Sequence, residues 1–339
     1  MKILASVFLL CVSLAALGNS LELPASCLDS AKGFLVNQDY ATSENILKTA
    51  IQLHPDNMEA LYLYLAVEQT KILDYESYSI ETDTFDSRAL TTLAVLNREL
   101  PLKKGRDKLN CLFYIGSALG GISILQAKVG NWPSAIRSGL GSIGYFKRVI
   151  KVDPFYYPAY LGIGFFNYYI SQNLKWLPFF GDRRKDGLEQ IRLSTQSGFP
   201  YSLVARNSLC WILLENNDYR AADSVASGVL KELPDNTIFI RLKSRIALWK
   251  KDWQSAGFWS RKLITLSEKR DPVNWSDLLS GYQVLIASYD ACSKKRECID
   301  LCRKILARKV PEPFCRIPYV KKHLKAISEI QKKYKAINN

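Results

Sequence analysis

The chain has 339 residues, a formal net charge of +14 and eight cysteines. Its cysteines are sparse, and an odd seven of them follow residue 20, which excludes a disulfide-built framework; two histidines leave little raw material for acid–base catalysis. The charge is uneven: residues 21–100 carry a net −8, residues 101–293 a net +11 and the last 46 residues a net +10, so a basic end is set to meet an acidic partner or an anionic surface, with nucleic acid not expected.

The first twenty residues read as a signal peptide. Lys2 supplies the positive start, Ile3 to Leu17 the apolar stretch, and Ala15, Ala16, Gly18 and Ser20 the small residues of a cleavage site. The stretch is shorter than the roughly 20 apolar residues of a membrane span. No later segment reads as a span, so the expected product is exported and not transmembrane: periplasmic or extracellular, with a bacterial envelope the preferred setting.

Residues 21–339 carry an internal echo. Asn217-Asp218-Tyr219-Arg220-Ala221-Ala222 returns as Lys251-Asp252-Trp253-Gln254-Ser255-Ala256, with aromatic and small residue each displaced by 34 positions, the length of one tetratricopeptide helix–turn–helix unit. The physical logic is close packing: a small side chain where two helices cross, larger apolar ones around it, and a proline or turn to close the unit. The clearest units are 27–60, 203–236 and 237–270. In the first, Ala31 takes the small slot, Asn37 to Tyr40 make the turn, and Ser43, Leu47 and Ala50 face inward. A loop is expected near Asp74–Phe85, then a helix from Asp86 to Arg98, a break at Pro101 and a long helix from Lys108 to Val129. Trp132-Pro133-Ser134-Ala135 opens a stretched second helix that closes at Pro154. A basic helix over 319–337 ends the chain. No sustained period-2 alternation argues for strands. The fold class is therefore all-α: a solenoid of tetratricopeptide-like pairs in a right-handed superhelix, with about five or six pairs and no linker dividing it.

Within 155–265, Gly162-Ile163-Gly164-Phe165-Phe166-Asn167 leads through Trp176-Leu177-Pro178-Phe179-Phe180 to Gly181-Asp182-Arg183-Arg184 and Gly187-Leu188. This segment resembles the family of tetratricopeptide repeat protein 39 and the inclusion-body clearance protein. The resemblance implies an all-helical repeat fold and no known catalytic residues.

Motifs that carry chemistry elsewhere are weak here. Gly139-x-Gly141-x-x-Gly144 matches the dinucleotide fingerprint by letter, but it lies in the body of an expected helix and reads as a small-residue face. His54 sits in a helix-ending turn and His323 in a basic helix. Cys292, Cys298, Cys302 and Cys315 lack the repeated short pairs of zinc sites, apart from the lone Cys298-x₃-Cys302. Two readings of them stand: small core residues, or one disulfide among the four, such as Cys292 or Cys298 to Cys315, which would tie the last helix down. Asn274-Trp275-Ser276 fits a glycosylation acceptor in a eukaryotic host. The loop Trp176–Phe180 is an apolar contact candidate. No cofactor and no metal are expected. An enzyme would need acids such as Glu68, Asp74, Glu76 and Glu81 gathered in one cleft.

The expected working surface is the concave groove lined by the first helix of each pair. Positions one turn from the small slot should point into it: Lys32, Asn207, Trp211, Arg241 and Arg245, suited to an acidic side chain or a peptide terminus. The expected function is an exported, non-enzymatic scaffold binding a protein or peptide partner of the cell envelope. The alternative is an adaptor for an anionic surface, acidic lipid or polysaccharide, through Lys321, Lys322, Lys325, Lys332, Lys333 and Lys335.

Overall fold

Six helices begin under the same kind of cap. Asp39, Asp218 and Asp252 accept the N–H of Thr42, Ala221 and Ser255, and Asn57, Asn236 and Asn274 accept the N–H of Ala60, Phe239 and Asp277. Each carboxylate or amide oxygen satisfies a donor that the helix start leaves open, worth about 1 kcal/mol. The alternation is systematic: aspartate starts the second helix of these pairs, asparagine the first helix of the next. Ahead of the aspartates, Gln38, Asn217 and Lys251 take the left-handed backbone (φ 62°, 60° and 59°), which turns the chain in three residues.

The structure is a computed structural model that describes residues 25–173 and 181–337. The proposed signal peptide (1–20) and the Trp176–Phe180 stretch fall outside the described residues. Among the described residues there are fifteen α-helices and no strand. They run as α1 (Ala25–Val36), α2 (Tyr40–Leu53), α3 (Met58–Tyr75), α4 (Tyr78–Glu99), α5 (Gly105–Lys128), α6 (Trp132–Val152), α7 (Tyr157–Asn173) and α8 (Arg184–Ser194). The second half has α9 (Tyr201–Glu215), α10 (Tyr219–Glu232), α11 (Thr237–Trp249), α12 (Trp253–Glu268), α13 (Trp275–Ala291), α14 (Lys295–Leu306) and α15 (Pro318–Ile337). Consecutive helices pack as seven pairs, above the five or six that the repeat spacing suggested, and α15 closes the last pair.

The small slots meet in register. Ser43 Oγ donates to Ala31 O at 2.8 Å, Ser123 Oγ to Ala135 O at 2.7 Å, Cys210 Sγ to Ala222 O at 3.6 Å and Cys298 Sγ to Ile286 O at 3.5 Å, each across twelve residues. A hydroxyl or thiol there is small enough for the crossing and still bonds the facing backbone. Cys292, Cys298, Cys302 and Cys315 are free thiols; Cys298 and Cys302 lie in the core, as the small-residue reading has it, whereas Cys292 is exposed and Cys315 only partly covered.

Four expectations need correction. The loop placed at 74–85 is mostly helix: only Glu76 and Ser77 separate α3 from α4, and Phe85 and Thr82 are buried. The Thr- and Asp-rich sequence hid a helix that tertiary burial stabilises. The long helix expected from Lys108 starts at Gly105. By length and composition α5 is apolar enough to cross a membrane, contrary to the reading that no later segment is; in the fold it is mostly buried, with Cys111 to Ile115 in the core. Asn274, read as a glycosylation acceptor, is wholly buried and donates to Asp74 O at 3.1 Å.

The glycine run of α6 lies within a helix. A Cβ on Gly139 would come within 2.9 Å of Ser123 Oγ, whereas one on Gly144 would meet nothing. Backbone meets backbone between α7 and α8: a Cβ on Gly187 would lie 2.7 Å from Tyr168 N, and one on Gly164 the same distance from Gly187 O.

Candidate protein-binding surface

In a solenoid the first helix of each pair lines the inner face. Here that face closes on itself. Tyr62 of α3, Phe113 and Tyr114 of α5, Tyr156 before α7 and Tyr201 of α9 form one aromatic cluster: Tyr62 stacks on Tyr114 at 4.5 Å, and Phe113 packs on Tyr156 and Tyr201 at 5.2 and 5.7 Å. Burial drives the Tyr62, Tyr114 and Tyr156 hydroxyls well above their ordinary pKa, so the phenols are neutral.

A second closure joins the first turn to the unit near 237–277. Asn236 Nδ2 donates to Val36 O (3.2 Å), and Gln38 exchanges hydrogen bonds with Thr237 (N–H to Oε1 2.8 Å, Nε2 to Oγ1 3.1 Å). Asp74 is the hub: its carboxylate accepts from Tyr40 OH (2.8 Å), Gln38 Nε2 (3.0 Å) and Arg270 (2.7 Å). Ser276 Oγ donates to Tyr75 O at 2.8 Å, and Tyr75 OH to Pro272 O at 3.0 Å. Arg270 also lies over the Tyr75 and Tyr40 rings, at 4.9 and 5.4 Å.

The five residues expected to line the groove meet different fates. Lys32 pairs with Glu59 (2.8 Å) and Asp29 (3.0 Å), which together outweigh the opposing effect of burial and raise its pKa. Arg241 is only 6 % exposed and sits 3.0 Å from the wholly buried Asp277, with Glu76 at 3.9 Å, so its charge is held inside the chain rather than offered to a groove. Asn207, Trp211 and Arg245 do come together. Asn207 and Trp211 stand one turn apart on α9, and Arg245 of α11 lies over the Trp211 ring at 5.6 Å. Arg245 also donates to Tyr319 OH of α15 and reaches Ser280 Oγ at 3.4 Å. Its Nε and the Asn207 Oδ1 are buried without a partner.

Sequence reasoning missed the terminal helix as a component of this surface. His323, read as an ordinary residue of a basic helix, is 5 % exposed, with its ring 4.3 Å from Tyr319 and neither nitrogen partnered. Burial, reinforced by Arg245, Lys322 and Arg241, lowers its pKa to about 4. The signal was available: Ile317, Val320, His323, Ile327 and Tyr334 fall on one helical stripe, and all are buried. Of the acids considered for an enzyme, Glu68 pairs with Arg88, Asp74 with Arg270, and Glu76 faces Arg241.

No family model matches the chain, and no curated protein matches it. Solved structures do. The chain is similar to the crystal structure of the APC/C hetero-tetramer Cut9–Hcn1, with a TM-score of 0.52 and 14 % identity over 96 % of this chain; it spans 58 % of that chain, a little over half its length. It is also similar to the C-terminal part of a TPR repeat-containing protein from Cytophaga hutchinsonii (TM-score 0.42, 15 % identity, 86 % of this chain and 99 % of that one). Yeast Tom70 matches with TM-score 0.35 and 11 % identity, over 92 % and 90 % of the two chains. The helix pairs, their small-residue crossings and the first of these likenesses define the fold as a tetratricopeptide-like α-solenoid.

Proposed function

We propose that the protein is an exported, non-enzymatic scaffold that binds a protein or peptide partner of the cell envelope. The fold supports the scaffold reading, since stacked helix pairs supply extended recognition surfaces; Lys2 and the apolar run Ile3–Leu17 support export. The observation that carries the site is the pairing of Arg245 with Trp211 beside Asn207. It leaves one buried donor, Arg245 Nε on α11, and one buried acceptor, Asn207 Oδ1 on α9, without a partner. An unmade buried hydrogen bond costs about 1–3 kcal/mol, so a peptide amide, which carries both a donor and an acceptor, would bind with that gain if it satisfied both atoms.

Crosslinking in the native host from a photoreactive residue at position 211 tests this. The expected result is a protein adduct that disappears in the Arg245→Glu variant. An adduct pattern unchanged by Arg245→Glu would remove the site. The second reading, an adaptor for an anionic surface, is favoured by the outward-facing Lys321, Lys322, Lys325, Lys332 and Lys333 of α15. Salt-sensitive binding to acidic polysaccharide, lost on deleting 319–339, is its expected signature.

A further inference from the structure

We propose that one edge of the solenoid, remote from the terminal helix in sequence, docks on an anionic lipid bilayer. The edge consists of three turns between successive pairs: 100–104 before α5, 153–156 before α7 and 195–200 before α9. Contacts hold them side by side. Arg106 pairs with Asp153 at 2.8 Å and lies over the Tyr156 ring at 4.8 Å; Tyr156 OH donates to Asn110 Oδ1 at 3.1 Å. Tyr156 and Tyr201 both anchor on Phe113, which brings the third turn to the second.

With their aromatic roots tied down, these turns carry exposed apolar side chains. Leu102 is 69 % exposed, Phe155 is 76 % exposed and Phe199 is also exposed, and Val152 at the end of α6 adds a fourth at 69 %. Large apolar side chains exposed on adjacent turns mark an interaction surface. The surroundings are basic: segments 99–110, 145–158 and 195–206 hold eight basic and three acidic residues, and Lys104, Arg106, Lys108, Lys147, Arg148 and Lys151 are exposed.

That layering selects the occupant. Apolar tips ringed by lysine and arginine match a bilayer interface, where acyl chains lie beneath anionic headgroups and each nearby cation contributes about 1 kcal/mol. A protein partner would be anchored through a concave, desolvated pocket. Two surface clefts, around Lys295–Arg303 and around Asp223, Lys243 and Trp259, are both remote in sequence from this edge. The proposal is independent of the Arg245–Trp211 reading and uses no residue of α15.

The test is cosedimentation of residues 21–339 with phosphatidylcholine vesicles, with and without phosphatidylglycerol. Binding is expected only with the anionic lipid and should weaken with salt. The pair Leu102→Ser and Phe155→Ser, and separately the pair Lys104→Glu and Lys151→Glu, should each lower partitioning by about tenfold or more, with helix content unchanged. Deleting 319–339 should leave binding in place. A photoreactive residue at position 155 should label lipid in the host envelope. Failure to bind anionic vesicles, full binding by both edge variants, loss of binding only on deleting 319–339, or labelling of protein alone from position 155 would each overturn the proposal.

Discussion

Arg241 Nη1 lies 3.0 Å from Asp277 Oδ1 in a part of the solenoid that water does not reach. Burial raises the Asp277 pKa to about 6 against the pull of Arg241, so the carboxylate is ionised at neutral pH only because the guanidinium is there. Neither Asp277 oxygen accepts a well-directed side-chain hydrogen bond, so the contact is chiefly ionic. Removing one partner strands the other. Arg241→Met should cost about 3–5 kcal/mol in urea denaturation, while Arg241→Met combined with Asp277→Leu should recover most of it. Additive losses in the two single variants and the double would contradict a coupled pair.

The Asp74–Arg270 clasp gives a second prediction. Arg270 meets Asp74, Thr237 and the Gln38 carbonyl, and covers two tyrosine rings. Arg270→Ala should lower stability by about 3–4 kcal/mol and speed amide exchange in α1 and α2 far more than in α5 and α6. Equal acceleration in all four helices would show that the clasp does not hold the first pair.

His323 sets a pH dependence. Its pKa falls from 6.5 in the unfolded chain to about 4 in the fold, through burial and then Arg245, Lys322 and Arg241. The unfolded chain therefore takes up the proton first, and stability is lost as pH falls from about 6.5 towards 4, by about 3 kcal/mol at most. Asp277 works in the opposite sense: its contribution is full below about 3.8 and lost as pH rises through about 6. Thermal melts of the native chain and of His323→Gln isolate the histidine. The stability difference between them should shrink or reverse on acidification, and a pH-independent difference would contradict the assignment.

Two glycines separate packing from helix propensity. Gly187→Ala forces a methyl group against the backbone of Tyr168 and Gly164 and should cost about 3 kcal/mol. Gly144→Ala meets nothing and should stabilise α6 by about 0.5–1 kcal/mol. Thermal melts of both variants decide; a neutral Gly187→Ala would mean that the α7–α8 crossing relaxes at little cost.

The fold was legible because small residues must recur where helices cross, and Tyr219, Ala222, Trp253 and Ala256 keep that spacing. The α3–α4 connection was not legible: Asp74 to Phe85 is polar by composition, and only tertiary contacts show Asp74 as a buried acceptor and Phe85 as core. The candidate surface was half legible. Register alone placed Asn207, Trp211 and Arg245 on one side, and the structure brings them together. Register carries no information on pairing between units, so it offered Arg241 and Lys32 as open cations when Asp277 and Glu59 already hold them. Asp277 itself lies in the first turn of α13, where an acid is common enough to pass unnoticed.

Gln38 bonds Thr237 across 199 residues, and that span has a consequence for the order of events in the cell. During synthesis the first hairpin emerges well ahead of the segment that completes it. Until then the polar groups of Val36 and Gln38 that later meet Asn236 and Thr237 face solvent, so the amino-terminal end is completed only after two thirds of the chain has been made.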